Sequence, residues 1–566
     1  MLDTLRQLRA VLTVDERRQW LGLLPLAALA VLLEAAGAAA LVTSIGRALG
    51  TPGTAGQAAF LAVLLTAVFV LRGAVMAAVV KRRERAVAET ISRLTARMLD
   101  GYLRAPYETM IDRHSSLTAQ RVTQTVEQVV TLSLVGSFTV AIELFVAVAV
   151  VIVLLIATPL AALSAVAATT ALVAGGLMLV RPRFATWSTQ QLNLHQQSMK
   201  ELQEGFGALA ELKVLGTEPF FHQRIANDRR SLAMLQARRQ TLAERLRIAI
   251  ETTVLAAMLL SVVVVVLDGM SAATAVSVLG LYAYAGLRLV PSANRIVANI
   301  GLLRSGRAYL SDLHDEWQWL SLLPPASADA PFPLRLDSTI RLENVGFAYP
   351  EAERVAVRDL EITIRRGEAI GLVGPIGAGK STVMKLLLGL LRPTHGRILV
   401  DGIDLQTRLA SWQRALGYVA QQPYLIADTI RRNIAFGQPE VTIDEGAVRW
   451  AIHTAGLDPV VDRLRDGIDT VLNESGGGLS GGEQQLLAIA RALYRRPAIL
   501  LLDEPAASLD PVSRSMIDNV LGALKGNVTI VAVSHRPDDL PWCDRILEMQ
   551  SGQLVGSDYR PSQFQR

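Results

Sequence analysis

Gly374-Pro375-Ile376-Gly377-Ala378-Gly379-Lys380-Ser381 places three glycines, a lysine and a hydroxyl within eight residues. This is the P-loop pattern. The glycines let backbone N–H groups wrap a phosphate chain, Lys380 reaches β- and γ-phosphates, and Ser381, followed by Thr382, suits a Mg²⁺ ion. A second stretch, Ala498-Ile499-Leu500-Leu501-Leu502-Asp503-Glu504, reads as a buried strand that delivers two carboxylates to a sheet edge. Asp503 suits the Mg²⁺ shell and Glu504 suits polarising an attacking water. A third, Leu479-Ser480-Gly481-Gly482-Glu483, precedes a helical pattern from Gln484 to Arg495 and builds another anion site. One chain therefore offers two phosphate-binding helix starts. A second copy, set head to tail, could close its Ser480 site over the nucleotide on the first copy's Lys380, which predicts a dimer with ATP at the interface.

These motifs need particular elements around them. Ala369-Ile370-Gly371-Leu372-Val373 is strand-like and leads into the P-loop, and Thr382 to Leu391 is helix-like and follows it. Beyond residue 338, short apolar strands alternate with helical patterns, which reads as an α/β domain with a largely parallel sheet. A Pro/Ala-rich stretch, Leu323-Pro324-Pro325-Ala326-Ser327-Ala328-Asp329-Ala330-Pro331-Phe332-Pro333, separates it from what precedes. The expected organisation is a membrane domain over 1–315, a linker over 316–338 and an ATP-binding domain over 339–566.

The first part is of a different kind. Hydrophobic residues make up 51% of the 566, charged residues 19%, and mean hydropathy is +0.34. That excludes a disordered chain and points to a membrane. Six segments, near 20–43, 58–80, 129–157, 160–180, 248–267 and 271–294, are long enough to span the bilayer, with Thr158-Pro159 as a tight hairpin between the third and fourth. The stretch 81–128 carries nine Lys/Arg and 181–245 carries ten, whereas the three opposite loops hold only Arg47 and Asp268. The positive-inside rule places both termini and both long loops in the cytoplasm. Those loops have helical periodicity, broken at Ala105-Pro106-Tyr107 and at Gly216-Thr217-Glu218-Pro219, and read as helices running past the bilayer into water. The net charge of +5 is read as membrane orientation, with no nucleic-acid partner. The single Cys543 excludes a disulfide framework, a zinc finger and an iron–sulfur cluster within one chain. No cleavable signal sequence is expected, since the first 19 residues are charged and helix-like.

Together these residues resemble a bacterial ABC exporter half-transporter: an α-helical membrane domain with six transmembrane helices plus an α/β P-loop ABC nucleotide-binding domain in one polypeptide. The resemblance implies that Tyr349, in Val345-Gly346-Phe347-Ala348-Tyr349, stacks on adenine. It implies that Gln421, or the adjacent Gln422, senses Mg²⁺, with Ser381 and Asp503 as the other metal partners. Ser508-Leu509-Asp510 would link the two ATP sites, and His535 would contact the γ-phosphate. The nucleotide contacts are then Tyr349, Gly374, Gly377, Gly379, Lys380, Ser381, Thr382, Ser480, Gly481, Gly482 and Asp510, with Glu504, His535 and Gln421 catalytic and ATP and Mg²⁺ as cofactors. Short coupling helices would lie near 106–118 and 212–222, and helices four and five would reach across to the partner subunit. Two departures stand out: Glu483 where the family more often has Gln, and Leu487 where it often has Arg. Because Glu504 is present, both composite sites of a homodimer would be complete, which favours a homodimer and leaves a heterodimer open. The implied location is the bacterial inner membrane.

The cargo must be read from ionisable residues inside the spans, which are costly there. They are Glu34, Arg72, Glu143, Glu251 and Arg288, with Arg247 and Arg295 near the inner boundary. At 1.5 Å per residue, Arg72 and Arg288 lie roughly 20–25 Å from the outer end and Arg247 and Arg295 roughly 30–36 Å. A cluster of guanidiniums lining an inward-open cavity suits bidentate phosphate binding. Snorkelling to the inner head groups is the competing reading. Arg288-Leu289-Val290-Pro291-Ser292-Ala293-Asn294-Arg295-Ile296 is similar to the sixth helix of the Pgl-type flippases for lipid-linked oligosaccharides. Phe69-Val70-Leu71-Arg72 and Arg247-Ile248-Ala249-Ile250-Glu251 fall at comparable places in their second and fifth helices. The resemblance implies ATP-driven movement of a polyprenyl-pyrophosphate glycan from the inner to the outer leaflet. Two alternatives stay open: a lipid or multidrug exporter, which the low aromatic content of 5% disfavours, and a non-transporting ATPase regulator, which would predict an extra membrane domain or a lost Glu504.

Overall fold

The computed structural model describes residues 2–50, 55–111, 113, 115–157, 175, 186–187, 189–267, 272–323, 336–350, 354–473, 477–507 and 509–555. The chain forms two compact units, Met1–Ala105 with Asp112–Leu323, and Pro106–Ile111 with Pro324–Arg566.

The first unit is helical. Its long rods are Leu24–Gly50, Ala55–Arg104, Glu218–Leu267 and Ala272–Leu322, together with a continuous helix from Ser115 to Ala157. A rod of 50 residues is about 75 Å long, against about 30 Å of hydrocarbon, so such helices extend well beyond a bilayer. Among the described residues, Val14–Gly37, Ala62–Arg104 and Leu117–Ile156 are long and apolar enough to cross a membrane. The fifth and sixth expected spans fall within Glu218–Leu267 and Ala272–Leu322. The fourth span, the Thr158-Pro159 hairpin, Asp268, Ser508 and nearly all of the Pro-rich linker lie outside the described residues.

Both expected helix breaks are present. Ala55–Arg104 stops before Pro106, and a short helix, Tyr107–Met110, follows. Leu209–Leu215 ends at Gly216 with φ +62°, a left-handed cap that glycine adopts freely, and the next helix starts at Glu218. The boundary expected at residue 315 falls inside Ala272–Leu322. Cation–π contacts hold that last stretch: Arg97 lies over Trp317 and Arg113 over Trp319.

Two windings of π-helix, Arg121–Thr125 and Val129–Val135, interrupt the third span. Gly306 meets the second of them, where an added Cβ would lie 2.7 Å from Ser133 Oγ and 2.9 Å from Leu132 Cβ, so only glycine lets the two helices approach so closely. The N-terminal segment is anchored to this unit. Thr13 and Glu16 form a capping box, buried Glu16 pairs with Arg97 at 2.8 Å, and Trp20 donates to Thr90.

The second unit holds two sheets. β1 (Thr339–Phe347), β2 (Val357–Arg365), β4 (His395–Val400) and β5 (Ile403–Asp404) form an antiparallel sheet in the order β2-β1-β4-β5. This sheet is additional to the parallel one expected from the pattern. β3 (Ala369–Val373), β6 (Leu416–Val419), β7 (Ile499–Asp503), β8 (Thr529–Ser534), β9 (Arg545–Gln550) and β10 (Gln553–Leu554) form the other, ordered β10-β9-β3-β8-β7-β6. All its pairings are parallel except β9–β10. β3 and β8 are buried throughout, as expected of strands covered on both faces. The order matters for chemistry: the carboxyl ends of β3, β8, β7 and β6 lie side by side, where open α/β sheets bind ligands.

Candidate functional site

Register brings the motifs together. Val373 pairs with Ser534 and Asp503 with Val533, so the P-loop, the two carboxylates and His535 emerge from adjacent strands. Gly374, Gly377 and Gly379 have φ of +152°, +80° and +100°. An added Cβ on Gly374 would sit 2.2 Å from the Met549 carbonyl oxygen, and one on Gly379 2.5 Å from that of Ala356. Both glycines are therefore demanded by close backbone approach as well as by φ. Lys380, buried at the start of the helix Lys380–Leu387, donates to the carbonyl oxygens of Gly374 (2.6 Å) and Pro375 (3.0 Å).

Glu504 is the hub. Its backbone has φ +49°, and its N–H donates to Val533 O. His535 Nε2 meets one carboxylate oxygen at 2.7 Å and Gln421 Nε2 donates to the other at 2.8 Å. The ring's Nδ1 lies 3.4 Å from Lys380 Nζ. A neutral ring protonated on Nε2 satisfies both neighbours, donating to Glu504 and accepting from Lys380. Of the two adjacent glutamines, it is Gln421 whose amide reaches Glu504. Burial, and next the Glu504 charge, push the Asp503 carboxyl above its ordinary range, against the pull of Lys385, Lys380 and His535. Burial lowers Lys380, opposed by Glu504 and Asp503. Tyr349 packs edge-on to Phe347, with its hydroxyl 3.5 Å from Thr382 Oγ1 beside the P-loop helix.

The Ser480 motif forms a separate site. Ser480 caps the helix Gly481–Leu493 in a capping box with Glu483, which also pairs with Arg463 at 2.8 Å. That explains Glu483: it serves the box as Gln would and gains an ion pair. Leu487 is buried in the core. A Cβ on Gly482 would strike Ser513, whose N–H donates to Asp510, the cap of the helix Pro511–Leu524. The Ser513 hydroxyl, and next its N–H, hold the Asp510 carboxyl below its usual range. Among the described residues, no hydrogen bond joins Ser480, Gly481 or Gly482 to Lys380 or Glu504.

Arg491 and Asn433 are the residues that sequence reasoning missed. Arg491 donates to the carbonyl oxygens of Asn433 (2.8 Å) and Tyr424 (2.7 Å) and to Asn433 Oδ1 (2.7 Å). Fully buried Asn433 holds Ile426, Asp428 and Thr429. The network ties the Ser480 helix to the segment that follows Gln421. The available signal was one arginine within the apolar run Leu486–Leu493.

In the membrane unit each expected arginine has a carboxylate. Glu34 bridges Arg72, at 3.2 Å, and Arg288, at 2.8 Å. Arg295 pairs with Glu143 at 3.0 Å, and Ser292, next to the in-helix Pro291, donates to the same carboxylate at 2.7 Å. Arg247 contacts Glu244 at 3.0 Å and Glu251 at 3.9 Å, and Asn294 donates to Glu251. The four arginines thus stand in three carboxylate-paired groups: Arg72 and Arg288 on Glu34, Arg295 on Glu143, and Arg247 on Glu244 and Glu251.

Residues 357–507 match the family model for ABC transporters. The second unit is an ABC-type ATPase domain. Over the whole chain, the solved structure of a bacterial Atm1-family ABC exporter with ATP bound superposes with a TM-score of 0.79 at 25% identity, covering 97% of this chain and 96% of that one. The fold is that of an ABC exporter. Among curated relatives, an ATP-dependent lipid A-core flippase of Ralstonia nicotianae is 39% identical over 223 residues, 39% of this chain and 38% of the relative. The mycobactin import ATP-binding/permease protein IrtB of Mycolicibacterium thermoresistibile is 38% identical over 227 residues, 39% of this chain and 38% of the relative. The matched stretch spans about 38% of the length of both relatives.

In this exporter fold the residues that would hold a Mg²⁺ ion together with a nucleotide offer oxygen donors, the kind that ion takes. Ser381 stands in the first turn of the P-loop helix, Asp503 at the end of β7, and Gln421 beside Glu504. Among the described residues no group of three His, Cys, Asp or Glu could hold a metal. A sparse oxygen set suits Mg²⁺, which keeps waters and substrate phosphates in its shell. With the nucleotide it would neutralise phosphate charge.

Proposed function

We propose that this chain couples ATP hydrolysis to export of an anionic lipid-linked glycan, a polyprenyl-pyrophosphate oligosaccharide, from the inner to the outer leaflet of a bacterial inner membrane, working as a homodimer. The observation that carries the reading is Glu34 bridging Arg72 and Arg288 within the helical unit of a chain that also carries an ABC-type ATPase domain. Paired arginines at that depth favour a phosphate-bearing head group over an uncharged drug. The relatives named lipid A-core flippases support a lipid cargo.

In the proposed cycle Tyr349 packs on adenine, Lys380 holds the β- and γ-phosphates, and Ser381, Gln421 and Asp503 would hold the Mg²⁺. Glu504 positions water for in-line attack on Pγ. The bond from Pγ to the bridging oxygen breaks, leaving ADP and phosphate, and His535 steadies the γ-phosphate oxygens. Closure of two nucleotide units turns the cavity outward, and hydrolysis resets it. The test uses proteoliposomes with a fluorescent polyprenyl-pyrophosphate oligosaccharide. ATP-dependent movement between leaflets is expected for the wild type. It should be lost in Glu504→Gln, which binds ATP but hydrolyses it at least about tenfold more slowly. ATP turnover without movement would overturn the substrate reading.

A further inference from the structure

Glu34, Arg72 and Arg288 come from three different helices: Leu24–Gly50, Ala55–Arg104 and Ala272–Leu322. Close packing sets the geometry. An added Cβ on Gly37, one turn after Glu34, would lie 3.1 Å from the ring of Phe69, one turn before Arg72. Glu34 is buried and gives both its oxygens to guanidiniums. The group of three carries one net positive charge. Three buried donors there make no hydrogen bond; Arg288 Nε still meets Glu34 as an ion pair, which leaves Arg72 Nε and the hydroxyl of Tyr284, one turn before Arg288 and within electrostatic reach of all three charges, without a partner. Unsatisfied donors beside paired charges call for a ligand rich in acceptor oxygens.

We propose that Glu34 is the built-in counter-ion of an anion site formed by Arg72, Arg288 and Tyr284, and that it makes the site selective for head groups with two or more negative charges. The inference rests on the reading of the membrane arginines given above and adds the charge class of the ligand. A monoanion competes with a carboxylate already in place and gains little. A dianion brings a second charge and several oxygens, enough to draw both guanidiniums from Glu34 and to engage the two idle donors.

The test uses two lipids with the same sugar and polyprenyl chain, one joined through pyrophosphate (two charges) and one through a phosphodiester (one charge). Full-length protein is placed in phosphatidylcholine nanodiscs. Lipid-stimulated ATPase is measured relative to each variant's own lipid-free rate. For the wild type, half-maximal stimulation by the phosphodiester should need about tenfold more lipid than by the pyrophosphate. In Glu34→Gln the ratio should fall below about threefold, through a stronger monoanion response, while Glu34→Asp keeps the wild-type ratio. A wild type that does not discriminate, a Glu34→Gln ratio equal to wild type, or loss of both responses in Glu34→Gln with normal thermal unfolding would each overturn the proposal. The double variant Arg72→Ala/Arg288→Ala separates the two ideas. Loss of both responses there, with an unchanged ratio in Glu34→Gln, sinks only the counter-ion. Wild-type responses in the double variant sink the arginine reading and the counter-ion with it.

Discussion

Asp503 and Glu504 are neighbours with opposite surroundings. Glu504 turns out of the strand at φ +49° and is held by His535 and Gln421. Asp503 ends a buried strand, and burial raises its carboxyl. A carboxyl raised in the folded state loses stability as pH rises from its unfolded value through its folded value, and the full cost stands above the latter. Asp503→Asn is therefore expected to raise the unfolding temperature of nucleotide-free protein near neutral pH. The gain should shrink as pH falls toward about 4, where the unfolded carboxyl also becomes neutral. Thermal unfolding across that range checks the sign, and a gap that widens on acidification would refute it. Mg²⁺-dependent hydrolysis should be lost in the same variant. The P-loop and the two acids were legible in the sequence because both act locally: glycines are needed at positive φ, and an apolar strand ends in charge. The bonds of Glu504 to Gln421 and His535 were not, because residues 83 and 31 positions away make them only when the sheet order β3-β8-β7-β6 is in place.

Between elements, two polar contacts of the Gly481–Leu493 helix differ in what they support. Glu483 is at an open helix start, and its pairing with Arg463 is solvent-accessible. Glu483→Gln keeps the capping box and loses an ion pair worth about 0–1 kcal/mol, so little change in stability or turnover is expected. Arg491 ends in a buried network 58 and 67 residues distant in sequence. Arg491→Met would take a donor from three acceptors, the carbonyl oxygens of Asn433 and Tyr424 and Asn433 Oδ1, the last of which keeps the Ile426 N–H. The expected cost is about 2–3 kcal/mol, or a fall in Tm of about 5–10 °C for a unit of this size, by calorimetry. A loss under about 1 kcal/mol would mean that water replaces the guanidinium. Helix breaks were legible because Pro106 and Gly216 act on their own turns. The π windings were not, since they answer to tertiary contact at Gly306, and the pairing of Glu34 with Arg288 spans 254 residues. Amphipathic periodicity sees a helix face but not its partner.

At the scale of the whole molecule, the question is how many chains make one ATP site. Within one chain the Ser480 helix start and the Lys380 site each bear the mark of anion binding, yet no hydrogen bond joins them among the described residues. A head-to-tail pair would give each nucleotide a P-loop from one copy and a Ser480 cap from the other. That arrangement makes a strict prediction for mixed dimers. Lys380→Ala removes the phosphate lysine, and Ser480→Arg blocks the cap by bulk. Each homodimer should be inactive, since both of its sites are spoiled. In a dimer with one chain of each kind, both lesions fall in the same composite site and the other site is wild type throughout. ATPase activity should therefore reappear when the two chains are co-expressed with different tags and the mixed dimer is isolated through both. A site built from one chain alone could not be restored in this way. Wild-type turnover by the Ser480→Arg homodimer, or a mixed dimer no more active than its parents, would refute the shared site and with it the closure that drives the proposed transport.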